Sequence, residues 1–155
     1  MRKAFTMIEL VFVIVVIGIL AIIAIPKFSV TRDDAIITKA KTTVASIRSA
    51  LSSEVQRRIL AGNYNQIRNL GGEINGHDKA IFDYFDGNKN NPRVLEYPPK
   101  SCKTTTSRGC WLRVNSNTYR FFFPGSIGGN AYFKVTNNRF ECTAPNTKQC
   151  RLLER

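Results

Sequence analysis

The sequence has 155 residues, of which 43% are hydrophobic, and its formal net charge at pH 7 is +12. This length suggests one modest domain with an appendage, and the charge predicts attraction to anionic surfaces or polymers. Because the basic residues are scattered along the whole chain, the charge does not by itself define a nucleic-acid site.

The N-terminal apolar segment runs from Phe5 to Ile25, which is long enough to span a bilayer. Arg2 and Lys3 precede it and favour a cytoplasmic N-terminus. A secretory signal peptide is the weaker interpretation, because its apolar stretch is only roughly 7–15 residues long. Neither an anchor nor a signal peptide explains Glu9, a carboxylate placed just inside the apolar segment, where a charge costs free energy.

The stretch AFTMIEL, the apolar run after it and Pro26 together resemble the N-terminus of type IV pilins and type II secretion pseudopilins. This resemblance implies that residues 1–4 are a leader peptide, which a prepilin peptidase removes by cutting between Ala4 and Phe5. It also implies methylation of the new amine of Phe5 and a role in assembly for Glu9, the fifth residue of the mature chain. Ala4 departs from the family pattern, which usually has glycine at this position.

The implied role of Glu9 has a physical basis. Cleavage would create a positive amine at Phe5, in the same membrane layer as Glu9 of a neighbouring subunit. A carboxylate in a medium of low dielectric is tolerated when it is paired, so this pair would set the axial register between packed helices. The alternative is that Glu9 only complements the positive end of its own helix.

Beyond Pro26 the helical pattern becomes amphipathic, and we predict one long helix over residues 5–61. Its transmembrane and assembly half comprises residues 5–26, and its amphipathic half comprises residues 27–61. Pro26 lacks an amide hydrogen and can bend or locally melt the helix at this junction, and Gly62 is a suitable terminator. The predicted apolar stripe of the second half comprises Ile37, Ala40, Val44, Ile47, Leu51, Val55 and Ile59.

Residues 63–100 are rich in turn-forming residues, and we predict one short helix there, from Asp78 to Tyr84 with Asp78 as its N-cap. His77, the single histidine, is expected in a solvated loop. The side-chain oxygens between Asp83 and Asn90 lack the EF-hand spacing, so a calcium site is only a minor alternative. We therefore predict no metal site and no other cofactor.

The last third of the chain shows the alternation that is typical of strands. We predict two hairpins, CWLRVN with TYRFFF and AYFKVT with RFECT, and Asn137-Asn138 suits the turn of the second. Alternation places Leu112 and Trp111 on opposite faces of the sheet. Packed on the amphipathic half of the helix, this sheet gives an α+β fold in which residues 62–155 form a loop and antiparallel sheet domain. The pilin resemblance implies the same architecture, with this domain in the periplasm.

The four cysteines all lie in the same last third: Cys102, Cys110, Cys142 and Cys150. Their spacing differs from the C-x2-4-C pairs of zinc sites, so we predict two disulfides formed in an oxidising compartment. Three pairings are possible. We predict Cys102–Cys110 and Cys142–Cys150, because each closes a short loop of turn-forming residues, and Cys110–Cys142 is the main competitor.

The function that these features imply is structural. We find no nucleophile elbow, phosphate-binding glycine loop or zinc-protease helix, so we expect no enzyme. The resemblance implies a pilin-like subunit, a pseudopilin or type IV pilin, that polymerises through its N-terminal helix into a filament of a type II secretion or type IV pilus machine. Its partners would be other pilin-like subunits, prepilin peptidase, the inner-membrane assembly platform and the membrane. It would cross the inner membrane once, with the C-terminal domain periplasmic, and reach a filament or the cell surface after assembly.

The basic charge supports an alternative of a different class: a pilin-like subunit of a natural-transformation system whose domain contacts DNA. The candidate contacts are Arg113, Arg120 and Lys134, because they adjoin aromatic residues of the predicted strands. Basic and aromatic side chains together can form a stacking surface for single-stranded nucleic acid. The simpler interpretation is that these aromatic residues form the core of the sheet: Tyr119, Phe121, Phe122, Phe123, Tyr132 and Phe133.

Overall fold

The computed structural model of the protein describes residues 6–154, apart from the side chains of residues 23–31. The chain divides into two compact units, residues 1–35 and residues 36–155. One helix, α1 (Met7–Leu60), contributes to both units, and helical backbone continues through Pro26. Within the described residues, no helical stretch combines the length and the hydropathy needed to cross a membrane.

The second unit begins with the amphipathic part of α1, whose apolar stripe is confirmed as far as Val55, which is half-buried against the core, whereas Ile59 is exposed. Ile37, Ala40, Val44, Ile47 and Leu51 are all buried, and they are spaced three and four residues apart, as one face of a helix requires. The predicted terminator is also confirmed. Gly62 has a φ of +71°, and the N–H of Asn63 donates to the carbonyl of Arg58 at 2.8 Å, as in a Schellman cap.

The sheet has four antiparallel strands in the order β1 (Cys110–Arg113), β2 (Thr118–Phe122), β3 (Asn130–Thr136) and β4 (Arg139–Cys142). Both predicted hairpins are confirmed. Asn137 and Asn138 have φ values of 52° and 60°, which a two-residue turn of type I′ needs and asparagine tolerates. A short helix, α2 (Lys148–Glu154), follows the sheet. The predicted α+β architecture, an N-terminal helix packed on a small antiparallel sheet, is therefore confirmed for this unit.

The two faces of the sheet differ. The inner face packs with the stripe of α1 in the main core, to which it contributes Trp111, Tyr119, Phe121, Phe133 and Phe140. The outer face carries a smaller cluster of Cys102, Leu112 and Phe122. Trp111 and Leu112 thus lie on opposite faces, as alternation predicts.

Residues 63–100 contain only one 3-10 turn, Phe85–Gly87, so the predicted helix from Asp78 to Tyr84 is wrong. Asp78 and Phe82 have φ values of 53° and 61°, which a right-handed helix does not allow. His77 is half-buried instead of solvated, and its Nδ1 lies 2.9 Å from the carbonyl oxygen of Cys102.

Long-range bonds explain the loop conformation. The N–H of Ile81 donates to the carbonyl of Pro99, and the N–H of Leu95 donates to that of Phe82. These bonds turn the Phe82 ring into the core, 4.9 Å from the ring of Tyr119. Apolar contacts in the core and distant backbone partners thus determine this segment, and its local helix signal does not.

Gly71 is a position where this loop requires glycine. Its φ is +77°, and an added Cβ would overlap the carboxylate of Asp83 and lie 2.8 Å from the backbone N and O of Tyr84. We expect Gly71→Ala to lower the free energy of unfolding by about 2 kcal/mol, measured by denaturant titration. Gly125→Ala is the control, since nothing lies within 4 Å of an added Cβ there. Equal unfolding free energies for the two variants would contradict this explanation.

Candidate functional site

The first turn of α1 carries the candidate assembly residue, Glu9. Its backbone N–H donates to Thr6 Oγ1 at 3.3 Å, which makes Thr6 the N-cap of the helix and Glu9 its third residue. A threonine followed three residues later by a glutamate is the sequence of a capping box. The Glu9 side chain is exposed in the single chain. Ala4 and Phe5, the predicted cleavage and methylation positions, lie outside the described residues.

The helix surface that follows Glu9 is apolar and solvent-exposed in the single chain. Every side chain from residue 6 to residue 22 is exposed, including Phe12 at 69% and Ile22 at 75%. A contiguous exposed apolar surface on a single chain typically marks a site of association. In the first unit the single chain therefore leaves a large apolar surface available for association.

A buried ion network at the end of α1 is a feature that the sequence analysis missed. Glu54 and Arg58 are only 4% and 7% exposed. Arg58 donates from Nε to Glu54 at 2.8 Å and from Nη2 to Asp86 at 2.7 Å. The exposed Arg57 donates two further hydrogen bonds to Glu54. The network ties the helix to the 3-10 turn of the loop.

The charge state of Glu54 follows from these contacts. Burial alone would raise the pKa of its carboxyl group, but the hydrogen bonds from Arg57 and Arg58 outweigh burial and lower that pKa.

A signal for the network was present in the sequence. The alternating steps of three and four residues, continued strictly beyond Leu51, reach positions 54 and 58, whereas the predicted stripe ended at Ile59, which is 50% exposed.

Arg113 lies at the inner face and binds the chain's own backbone. Its guanidinium donates to the carbonyl of Gly72 at 2.6 Å and to two carbonyls of the β1–β2 turn. Only 9% of the residue is exposed. The structure therefore separates Arg113 from the other two predicted DNA contacts, Arg120 and Lys134, which lie on the outer face.

On the outer face, Arg120 stacks on two aromatic rings. Its guanidinium carbon lies 4.1 Å from the ring centroid of Phe122 and 5.8 Å from that of Tyr132, and Arg108 lies 5.7 Å from the Phe122 centroid. Tyr132 is 39% exposed, and the Lys134 side chain, two residues along β3, is exposed. The structure thus brings three cations and two aromatic rings onto one face.

The two disulfides pair as predicted. Cys102–Cys110 and Cys142–Cys150 have Cα–Cα distances of 5.2 and 5.9 Å. The first holds the loop before β1 against the outer face. The second holds α2 beside the end of β4. Both bonds fix segments that contribute few residues to the main core, which is where a crosslink is most useful to a small domain.

Other titratable groups are engaged in the fold. A groove of ≈530 Å³ between α1 and β4 contains the ion pair of Arg48 and Glu154, at 2.6 Å. Arg48 also donates to the carbonyl of Phe140, so this pair docks α2. Burial raises the pKa of Tyr119, whose hydroxyl donates to the carbonyl of Gly71. Among residues 6–154, no group of three or more His, Cys, Asp or Glu side chains is arranged to hold a metal ion.

Comparison with known proteins adds one similarity. The chain is 50% identical over 48 residues to the type IV narrow pilus major component PilA5 of Thermus thermophilus. The match covers 31% of this chain and 41% of PilA5, so it spans less than half of that relative's length. No family model matches the chain. No solved structure matches it either.

Proposed function

We propose that this chain is a pilin-like structural subunit that polymerises through its N-terminal helix into a filament of a type II secretion or type IV pilus machine. The observation that carries the proposal is the uncovered apolar helix with a single carboxylate, Glu9, in its first turn. The partial similarity to a type IV pilus component supports it. The buried stripe of the second unit shows that the same helix also anchors a folded domain.

The proposal assigns different tasks to the two units. Residues 5–26 span the inner membrane before assembly and pack against neighbouring subunits afterwards, since both media are apolar. Residues 36–155 form the periplasmic domain, where oxidising conditions sustain the two disulfides. The partners are other pilin-like subunits, the prepilin peptidase that cuts between Ala4 and Phe5, and the inner-membrane assembly platform. After assembly the domain lies on a filament or at the cell surface.

A second candidate function is a pilin-like subunit of a DNA-uptake machine. The observation that favours it is the group of cations on the outer face, Arg108, Arg120 and Lys134. It requires the same processing and the same helix as the first candidate. Arg113 has no part in it, because its guanidinium is bonded to the backbone.

Processing is the direct test of the proposal. We expect intact-mass analysis of the protein extracted from membranes to show loss of Met1 to Ala4 and one added methyl group at Phe5. Cells without the prepilin peptidase are the control and should retain the full-length chain. Ala4→Gly, which restores the usual family residue, should preserve or speed the cut. A full-length, unmethylated chain in cells with an active peptidase would remove the main support for the proposal.

A further inference from the structure

The outer face of the central strands, β2 and β3, carries an arginine whose polar atoms are incompletely used. Arg120 lies opposite Tyr132 in the register of the two strands, and its Nη1 donates only a long bond, 3.4 Å, to the Tyr132 hydroxyl. Its Nε is buried and has no hydrogen-bond partner among the described residues. The aromatic rings thus hold the guanidinium in place while much of its donor capacity is unsatisfied.

The charges around Arg120 are mainly positive. Within the part of the chain that the structure describes, Arg120, Arg108 and Lys134 form no ion pair with a carboxylate. Glu141, the acidic residue of this face, lies opposite Lys134 in the register but pairs with Arg139 at 3.3 Å. The occupant that fits such a face is anionic.

A second copy of the chain is a poor occupant. The sequence has 23 lysines and arginines against 11 aspartates and glutamates. Of those acids, Glu54, Asp86 and Glu154 are already bound to arginines of their own chain. A basic face of one copy would therefore meet a second basic surface, and like charges repel.

We propose that the outer face of β2 and β3 binds single-stranded nucleic acid, with a base stacked on Tyr132 and the Arg120 guanidinium and with phosphates on Lys134 and Arg108. Every base has a π face, so an exposed ring beside a planar cation binds single strands with little sequence preference. Lys134 is two residues from Tyr132 on the same strand, about 7 Å away, where it reaches the backbone next to a stacked base. This mode rests on the second candidate function and does not require filament assembly.

Single strands fit this face better than a duplex does. Bases in a duplex are stacked inside the helix, so Tyr132 could not contact a ring face there and the phosphates alone would bind. A purely electrostatic site would not need the stack of Arg120 on Phe122 and Tyr132. The inference therefore predicts a preference for single strands that depends on Tyr132.

The test uses the full-length chain in a nonionic detergent and a fluorescent oligothymidine, with binding followed by anisotropy at several salt concentrations. We expect Arg120→Met and Tyr132→Ala each to weaken binding about tenfold. Lys134→Gln should lower the slope of log affinity against log salt by about 0.7, the value for one phosphate contact on a single strand. Arg93→Met is the matched control, because Arg93 also lies over a tyrosine ring, Tyr84 at 5.7 Å, but outside the sheet.

The outcomes are distinct. The inference is supported if the two outer-face stacking variants lose affinity, Arg93→Met changes it less than twofold, and a duplex of the same length binds more weakly. It is overturned if Arg93→Met weakens binding as much as Arg120→Met, since only net charge would then matter. It is also overturned if the wild type binds the duplex, or a sulfated polysaccharide, as tightly as it binds the oligothymidine. Lys134 is exposed, so its variant remains informative if Arg120→Met fails to fold.

This assay separates the two proposals. Because the chain is held in detergent, binding does not depend on processing or on a filament. A failure to bind nucleic acid in this assay would leave the proposal of a structural filament subunit unaffected. Failure of peptidase processing in cells would remove both candidate functions, whereas the binding measurement, made on the full-length chain, would stand.

Discussion

Glu9→Ala is expected to reduce incorporation into filaments by at least about tenfold while the subunit remains in the membrane and its domain stays folded. The apolar residues after Glu9 are unchanged, so the affinity of the helix for an apolar medium is retained. What is lost is the partner of the amine that cleavage creates at Phe5 of a neighbouring subunit. An unpaired charge in a medium of low dielectric costs several kcal/mol, which is ample for this reduction. Sheared filaments and the membrane fraction should be quantified separately by immunoblot.

Thr6→Ala is the control that separates assembly from helix capping. Thr6 Oγ1 accepts the N–H of Glu9, so its loss removes the cap and leaves the carboxylate in place. N-cap substitutions typically cost about 1 kcal/mol, which a long helix tolerates. If Glu9 were only a helix-end residue, Thr6→Ala would impair filaments as much as Glu9→Ala does. A wild-type filament yield from Glu9→Ala would contradict the pairing of Glu9 with the amine at Phe5 of a neighbouring subunit.

The features predicted correctly from the sequence are those with local causes. The hairpin at Asn137-Asn138 needs only two residues that tolerate positive φ between alternating strands. The end of α1 needs only a glycine at the right distance from the apolar stripe, and Gly62 supplies it. Each disulfide joins two cysteines with a sequence separation of only 8, so its pairing can be inferred from a short local loop.

The features that the sequence analysis missed depend on distant partners. Phe82 adopts a positive φ because backbone groups near Pro99 and the aromatic core hold it there, and no neighbouring residue signals this. The separation of Arg113 from Arg120 depends on the strand register. Arg113 lies opposite Tyr119, and the residue that follows Tyr119 along β2 must face the other side of the sheet. Only the register, which tertiary packing fixes, makes that inference available.

The largest expected loss of unfolding free energy comes from the buried ion network at the end of α1. This network lies where the buried stripe of the helix carries charged side chains instead of apolar ones. Arg58→Met keeps an unbranched side chain of similar length but leaves Asp86 without its arginine and Glu54 with one instead of two. Removing one partner of a buried pair typically costs about 3–5 kcal/mol. Because Glu54 keeps Arg57 and Asp86 keeps the N–H of Arg68, we expect about 3 kcal/mol, measured by denaturant unfolding.

Arg57→Met is the matched control, since both arginines bind the Glu54 carboxylate and differ in exposure. The side chain of Arg57 is 56% exposed and that of Arg58 is 9% exposed. An exposed pair contributes about 0–1 kcal/mol, so the control should remain close to the wild type. Similar losses of unfolding free energy in the two variants would show that burial does not matter here.

The same network predicts a dependence of stability on pH. The pKa of Glu54 is lower in the folded state than its ordinary value of 4.5, because the hydrogen bonds from the arginines outweigh burial. A lowered pKa means that the folded state binds the proton less tightly than the unfolded state does. The stabilising contribution is therefore complete above the ordinary pKa and is lost as the pH falls through the folded-state pKa. In Arg58→Met the Glu54 carboxylate accepts fewer hydrogen bonds, so the part of the acid-induced loss of stability that Glu54 causes should be smaller. An unchanged pH profile below about pH 4.5 in the variant would contradict this account of the buried pair.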